Sequence, residues 1–329
     1  MPANLTPEYL QLDAKLRETR DPQEKLEIMR QMLRVIPKHK GTDKMQGDLR
    51  RRISRMEDAL AQKRKKGGRD PFHVPREGAG QVLLAGAPNA GKSSLLSHLT
   101  NATPQVANYP YTTHAPTPGM VPFEDVQIQL LDVPPLSREY TEAALFNAYR
   151  ICDLVLFVVD LSSADPTGEL LDLMAMLEEH LVRISPDPAR ERAGQVSEVE
   201  KRCVIVGNKM DQAPAEAGAS LRKAFGDDYP VLIGSAETGE GLAELPRVLF
   251  EALRLVRVYT KKPGRKFEKS APFVVPAGST VMEVAEAIHK EFAENLKFAR
   301  LWGSGKHQGL SVPRDHVVQD GDLLELHIS

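Results

Sequence analysis

The sequence predicts an α/β protein built around a doubly wound parallel sheet, with a helical arm before it and a small mixed domain after it. Three observations predict this. Between about residues 78 and 257, short apolar runs alternate with segments of helical periodicity. A glycine-rich turn joins the first of those runs to the first of those helices. Outside that span the pattern changes: residues 1–75 carry helical spacing and a basic run, while 268–329 open and close on strand-like segments.

Bulk properties bound the function. A length of 329 residues allows two or three such units. Net charge is −2, which excludes attraction of the whole molecule to nucleic acid, so any RNA contact must be local. Cys152 and Cys203 each begin an expected buried strand and are expected as reduced core thiols. No apolar run approaches the roughly 18 residues of a membrane span, and the first residues lack a basic-then-apolar leader. A cytoplasmic protein with no membrane partner is the expectation.

In the arm (1–75), Thr6-Pro7-Glu8 reads as a helix start, Asp21-Pro22 as a second start and Ile36-Pro37 as its end. Leu26, Ile28, Met29, Met32, Leu33 and Val35 recur at helical spacing. A third helix is expected from about Thr42 to Gln62. Its outer face and the following turn are basic: Arg50, Arg51, Arg52, Arg55, Lys63, Arg64, Lys65 and Lys66. Few carboxylates oppose them. The run is either a solvated helix face or a contact for RNA phosphates, and the second reading is preferred. Aromatic residues are absent from this basic run, so base stacking by it is not expected. A Gly- and Pro-rich linker leads to residue 80.

In the central domain (78–257), strands are expected near 81–86, 119–123, 126–132, 153–160, 202–208 and 230–234. Helices are expected near 92–100, 138–150, 167–183, 215–225 and 239–256. Residues 183–200 read as an exposed insertion. The first strand, Val82-Leu83-Leu84-Ala85, runs into Gly86-Ala87-Pro88-Asn89-Ala90-Gly91-Lys92-Ser93 and then Ser94. That string fits the phosphate loop G-x-x-x-x-G-K-[ST], in which backbone N–H groups cradle an anion at a helix N-terminus. Lys92 would reach the β- and γ-phosphates, and the Ser93 hydroxyl would ligate Mg²⁺. Asn208-Lys209-Met210-Asp211 ends an apolar strand. The Asp211 carboxylate can accept from guanine N1–H and the 2-amino group, and adenine would leave it unpaired. Lys209 can lie over the purine and Asn208 can brace the loop. Ser235-Ala236 ends the next strand, and the Ala236 N–H is expected on guanine O6. Asp132, at a strand end, is expected to hold Mg²⁺ through water. Thr113, with Thr112 as the alternative, is expected to close over Mg²⁺ and the γ-phosphate.

In the last domain (268–329), Phe273-Val274-Val275 reads as a strand and Ser279-Thr280 as an N-cap. A helix is expected over Val281–Phe292, a strand over Phe298–Trp302, a loop and turn from Val312 to Gly321, and a closing strand over Leu323–Ile328. Lys297, Arg300, Lys306 and His307 face either RNA or plain solvent.

The strings GAPNAGKSS, NYPYTTHAPTPGM, LLDVP, NKMD and GSAETGEGL resemble those of P-loop GTPases of the Obg–HflX branch, and are most similar to the developmentally regulated GTP-binding proteins. PKHKGTDKMQGDLRRRISRM in the arm and the linker LVRVYTKKPG resemble the same family. AIHKEF…FARLWGSGKH…DGDLLEL resembles a TGS domain, a small β-grasp fold. The resemblance implies binding of GTP and GDP, Mg²⁺-dependent hydrolysis, and association with a ribosome or ribosomal RNA, with an accessory protein as a further partner.

Three departures qualify that picture. The D-x-x-G motif reads Asp132-Val133-Pro134-Pro135, and Pro135 has no N–H to offer the γ-phosphate. Leu136 stands where many GTPases carry a water-orienting glutamine, so unaided turnover on the order of 10⁻⁴ to 10⁻² s⁻¹ is expected. Asn89 matches the asparagine of potassium-activated GTPases, which implies K⁺ beside the β- and γ-phosphates, with Lys92, Asn89 and Thr113 as the catalytic set. A non-catalytic guanine-nucleotide module and an alarmone sensor without RNA contact are the alternatives.

Overall fold

A computed structural model describes residues 71–100, 116–138, 141–188, 198–265, 271–303 and 308–328, together with helix 22–35 and scattered arm positions between 12 and 53. The chain divides into two units, 1–71 and 72–329.

In the first unit, α1 (Pro22–Val35) has an apolar stripe. Ile28, Met29 and Met32 are buried with Leu16, Leu49 and Ile53, giving the arm a small core of its own.

The second unit holds two larger sheets. The first contains β1 (Gln81–Ala85), β2 (Thr117–Phe123), β3 (Val126–Asp132), β4 (Leu154–Asp160), β7 (Cys203–Asn208) and β8 (Val231–Ile233). Their order is β2-β3-β1-β4-β7-β8. All neighbours run parallel except β2, which is antiparallel to β3. Side chains alternate between faces, and both faces are covered, so β1 and β4 are apolar along nearly their whole length. Leu83, Ala85, Val155, Phe157 and Val159 point into one core. There they meet α3 (Ala143–Ile151), α4 (Pro166–Glu179) and α5 (Ala217–Phe225). Val82, Leu84, Leu154, Leu156 and Val158 point into the other, against α2 (Lys92–Leu99) and α6 (Leu245–Leu253).

Several expected boundaries move, each for a local reason. The helix expected from 239 starts only at Leu245, because Gly239 and Gly241 hold φ of 78° and 77°. It stops at Arg254, in left-handed conformation at φ 50°. Leu255–Thr260, read as the end of that helix and a linker, is strand β9, with Val256 and Val258 buried in alternation. The helix expected from 138 starts at Ala143, since Thr141 Oγ1 accepts from the Ser137 N–H at 2.7 Å and closes a loop there. The helix expected to reach 183 ends at Glu179. The residues at both ends of the expected insertion instead pair as β5 (Val182–Ile184) and β6 (Val199–Lys201).

The second sheet is ordered β10-β9-β13-β11-β12, from β10 (Phe273–Pro276), β11 (Leu296–Trp302), β12 (Gln308–Val312) and β13 (Asp322–Ile328). β12 was not expected. α7 (Val281–Ile288) covers the sheet with Val281, Val284 and Ala285. A capping box holds its start: the Thr280 N–H donates to Glu283 Oε2 at 2.6 Å and the Glu283 N–H to Thr280 Oγ1 at 3.4 Å. The helix expected to continue to Phe292 breaks at His289, which is extended at φ −167°, and restarts as α8 (Lys290–Asn295).

Candidate nucleotide-binding site

The site lies at the carboxyl ends of β1, β3, β4 and β7, where ligands of open α/β sheets gather. β1 delivers the chain to Gly86, whose hydrogen faces the Val158 carbonyl; a Cβ there would sit 2.5 Å from that oxygen. The loop then passes through Pro88 and Asn89, both exposed, with Asn89 left-handed at φ 63°. Gly91 ends it at φ 94° and serves as the N-cap of α2. A Cβ on Gly91 would stand 2.2 Å from Asn208 Nδ2, so the residue must be glycine for shape as well as for φ.

Lys92 is the first residue of α2 and is buried. Its Nζ donates to the Gly86 and Ala87 carbonyls, both at 3.0 Å. Burial lowers its pKa to about 8, against the pull of Asp132 in the other direction. Ser93 and Ser94 are exposed on the first turn. Ser93 Oγ donates to Asp132 Oδ2 at 2.5 Å. Burial raises the Asp132 pKa, opposed by that hydrogen bond and by Lys92. A partly desolvated carboxylate touching a hydroxyl offers two hard oxygens. That donor set fits Mg²⁺, which takes few protein ligands and fills its sphere with water and phosphate oxygens. Among the described residues there is no cluster of three His, Cys, Asp or Glu that would hold a metal by protein ligands alone.

Asn208 joins the phosphate loop to the loop after β8. It is 2% exposed. Its Nδ2 donates to the Ala90 carbonyl at 2.9 Å, and its Oδ1 accepts from the Ala236 N–H at 2.8 Å. The expected bracing role of Asn208 matches this geometry. The Ala236 N–H, expected on guanine O6, donates here to Asn208 Oδ1. Lys209, left-handed at φ 62°, turns its Nζ to Asp160 Oδ2 at 2.6 Å. Asp211 is exposed, and the neighbouring Ser235 hydroxyl holds its carboxyl below the usual range. Ser235 itself is fully buried.

Asp160 is the site residue that sequence reasoning missed. Burial pushes its carboxyl up, but hydrogen bonds from Lys209 and Ser162 outweigh this and hold it down. Its signal was present: β4 reads LVLFVVD, an apolar strand ending in aspartate as β3 does, in register with Asn208. Leu136 takes no place at the site. It is 2% exposed in the core beneath α3, and its N–H donates to the Gly86 carbonyl at 3.3 Å.

Thr112 and Thr113 lie outside the described residues, as do Arg50, Arg52, Arg55, Lys63, Arg64, Lys65 and Lys66. Arg51 is exposed on a helical position of the arm.

Comparison with known proteins agrees with this geometry. A family model described as 50S ribosome-binding GTPase matches residues 81–209, and a TGS domain model matches 256–328. An uncharacterized GTP-binding protein of Methanocaldococcus jannaschii is 26% identical, with 93% of each chain covered. Developmentally-regulated GTP-binding protein 1 of Xenopus laevis is 26% identical, covering 91% of this chain and 97% of its own. The structure of the YchF GTPase of Schizosaccharomyces pombe superposes with a TM-score of 0.53 over 78% of this chain and 99% of that one. At 16% identity it speaks to the fold alone.

Proposed function

We propose that this chain, a GTPase domain followed by a TGS domain and similar to the developmentally regulated GTP-binding proteins, binds GTP with Mg²⁺ and hydrolyses it to GDP and phosphate as a ribosome- or RNA-associated switch. The observation that carries this reading is Asn208, whose two hydrogen bonds hold the phosphate loop and the base-reading loops at one end of one sheet. Phosphates would meet the backbone N–H groups of the loop from Asn89 to Ser93 and the Lys92 ammonium. The base would meet Asp211, with Lys209 steadied by Asp160. Ser93, Asp132 and Thr113 would hold Mg²⁺, which neutralises charge on the β- and γ-phosphates. Hydrolysis is direct attack by water, with the protein positioning groups and stabilising charge.

Asn89 stands exposed and left-handed at the crest of the loop, where its side-chain oxygen is available to K⁺. Turnover is therefore expected to be faster in KCl than in NaCl, and Asn89→Ala is expected to abolish the difference. Asp211→Asn is expected to shift preference from guanine toward xanthine; equal binding of ATP and GTP by the wild type sinks the reading. Partner binding is tested by sedimentation with ribosomes in GDP and in a non-hydrolysable GTP analogue, with and without residues 1–69.

The burial of Leu136 favours a second reading, a guanine-nucleotide module without turnover. Absence of multiple-turnover phosphate release at every K⁺ concentration, with and without ribosomes, selects it.

A further inference from the structure

The β2–β3 hairpin touches the nucleotide end of the first sheet at one end and the TGS sheet at the other. Its strands pair without interruption from Phe123↔Val126 at the tip to Thr117↔Asp132 at the base. At about 3.3 Å per residue the tip stands roughly 20 Å from Asp132 along the ribbon. The tip is Glu124-Asp125. Glu124 sits at φ 50°, the sign that a two-residue hairpin turn asks of its first central residue.

The tip meets Arg257, on β9 of the TGS sheet. Its side chain is 11% exposed. It forks onto Asp320 of the same domain, Nε to Oδ1 at 3.0 Å and Nη2 to Oδ2 at 2.7 Å. Nη1 donates to both hairpin-tip carboxylates, to Asp125 Oδ1 at 3.2 Å and to Glu124 Oε2. The guanidinium lies 5.7 Å and 5.3 Å from the ring centroids of Phe123 and Phe250, which pack on each other at 5.0 Å. Tyr259, two residues on, donates its hydroxyl to Asp125. One side chain thus closes the space between the two sheets, with every nitrogen of its fork engaged. Such a fork is geometrically exacting, and lysine cannot reproduce it.

We propose that Arg257 is a positioning residue that links the seating of the TGS domain to the nucleotide site through the β2–β3 hairpin. The inference rests on the guanine-nucleotide reading above. β2 begins four residues after Thr113, and β3 ends in Asp132 beside Ser93. A shift of either strand at the nucleotide end is carried by the paired ribbon to the tip, and there to Arg257. The coupling is reciprocal: whatever moves the TGS sheet changes the preference between GTP and GDP.

Trp302, the only tryptophan of the chain, reports on the TGS side. It lies on β11 with Lys261 Nζ 3.8 Å from its ring centroid, and Lys261 directly follows β9. The full-length chain is titrated with Mg²⁺ and either GDP or a non-hydrolysable GTP analogue, following Trp302 emission and measuring both affinities by calorimetry. In the wild type the two nucleotides are expected to leave different Trp302 emission. In Arg257→Gln the difference is lost and the ratio of the two affinities changes by about fivefold or more; Arg257→Lys restores neither fully. Asp125→Asn, which leaves the TGS-side fork to Asp320 in place, gives the same direction if Arg257→Gln proves unstable. A merely structural clamp would lower the melting temperature and leave emission difference and affinity ratio unchanged, which overturns the proposal. Wild-type chain that binds both nucleotides with identical Trp302 emission also overturns it. Failure to bind either nucleotide by calorimetry instead sinks the guanine-nucleotide reading, and this inference with it.

Discussion

Asn208→Ala is the perturbation whose cost the structure allows to be worked out. The side chain is almost fully buried and makes two hydrogen bonds, one to each loop it joins. Truncation leaves the Ala90 carbonyl and the Ala236 N–H without a partner. Each orphaned buried group costs about 1–3 kcal/mol. Water entering the space would hold the sum to about 2–4 kcal/mol, since a site with two polar walls is one that water can enter. At roughly 2–4 °C per kcal/mol for a unit of this size, melting should fall by about 4–16 °C. Asn208→Asp tests the direction. It keeps an acceptor for Ala236 but turns a carboxylate oxygen toward the Ala90 carbonyl, so at neutral pH it should be the less stable of the two variants. Burial and that carbonyl both favour the protonated acid, whose O–H can donate to Ala90. Its folded-state pKa is therefore raised, and Asn208→Asp should regain stability as pH falls toward 5. Thermal melts of nucleotide-stripped protein from pH 5 to 8 measure this. An Asn208→Ala variant melting within 1 °C of the wild type refutes the reasoning, as does an Asn208→Asp variant more stable at pH 8 than at pH 5.

Lys92 has a folded-state pKa lowered to about 8 by burial, so between pH 8 and 10.5 the unfolded chain binds more protons and Lys92 contributes stability that rises with pH. Nucleotide phosphates need the charged form, so affinity for GDP should fall as pH rises through about 8, read by calorimetry at pH 7 and pH 9; a flat profile counts against it. Asp132→Asn replaces a charged carboxylate by a neutral amide and should weaken Mg²⁺ support of nucleotide binding by about 10- to 100-fold, as loss of outer-shell ligands does, measured by titrating Mg²⁺ at fixed GDP. Leu136→Gln should not raise turnover, because that position faces the core, and should destabilise by about 1–3 kcal/mol through a buried amide; a tenfold gain in phosphate release would show that the position faces the nucleotide.

The parts of the fold set by short-range pattern were legible in the sequence. β3 falls at 126–132 as expected, since its apolar run is bounded by Glu124-Asp125 on one side and by Asp132 on the other. The phosphate loop was legible because its glycines are required locally, Gly86 by the close approach of Val158 and Gly91 both by φ and by the approach of Asn208. What escaped depends on partners far along the chain. β9 alternates Val256 and Val258 with polar residues, but it follows a helix directly, and only β10 and β13 make it a strand. The direction of the Ala236 N–H depends on a side chain 28 residues earlier. Asp160 earns its role from Lys209, which turns toward it only because its own φ is left-handed.

The loop after Asp132 shows how the departures in the motif and the joint at Arg257 belong to one arrangement. A switch loop that senses the γ-phosphate must offer an N–H and be free to move to it. Pro135 offers none. Val133 and Leu136, at 4% and 2% exposure, fasten the loop on either side of it, and the Leu136 N–H is already given to Gly86. Lifting both side chains into water costs about 1.5–3 kcal/mol each, so about 3–6 kcal/mol in all. Pro135 has no N–H with which to offset that. On the proposed reading the loop is then a fixed wall of the site, and a response to the third phosphate would be sought elsewhere, at Asp132 and Ser93. Asp132 closes β3, the strand that returns from the hairpin tip gripped by Arg257, so the fixed loop and the joint to the second sheet share one ribbon.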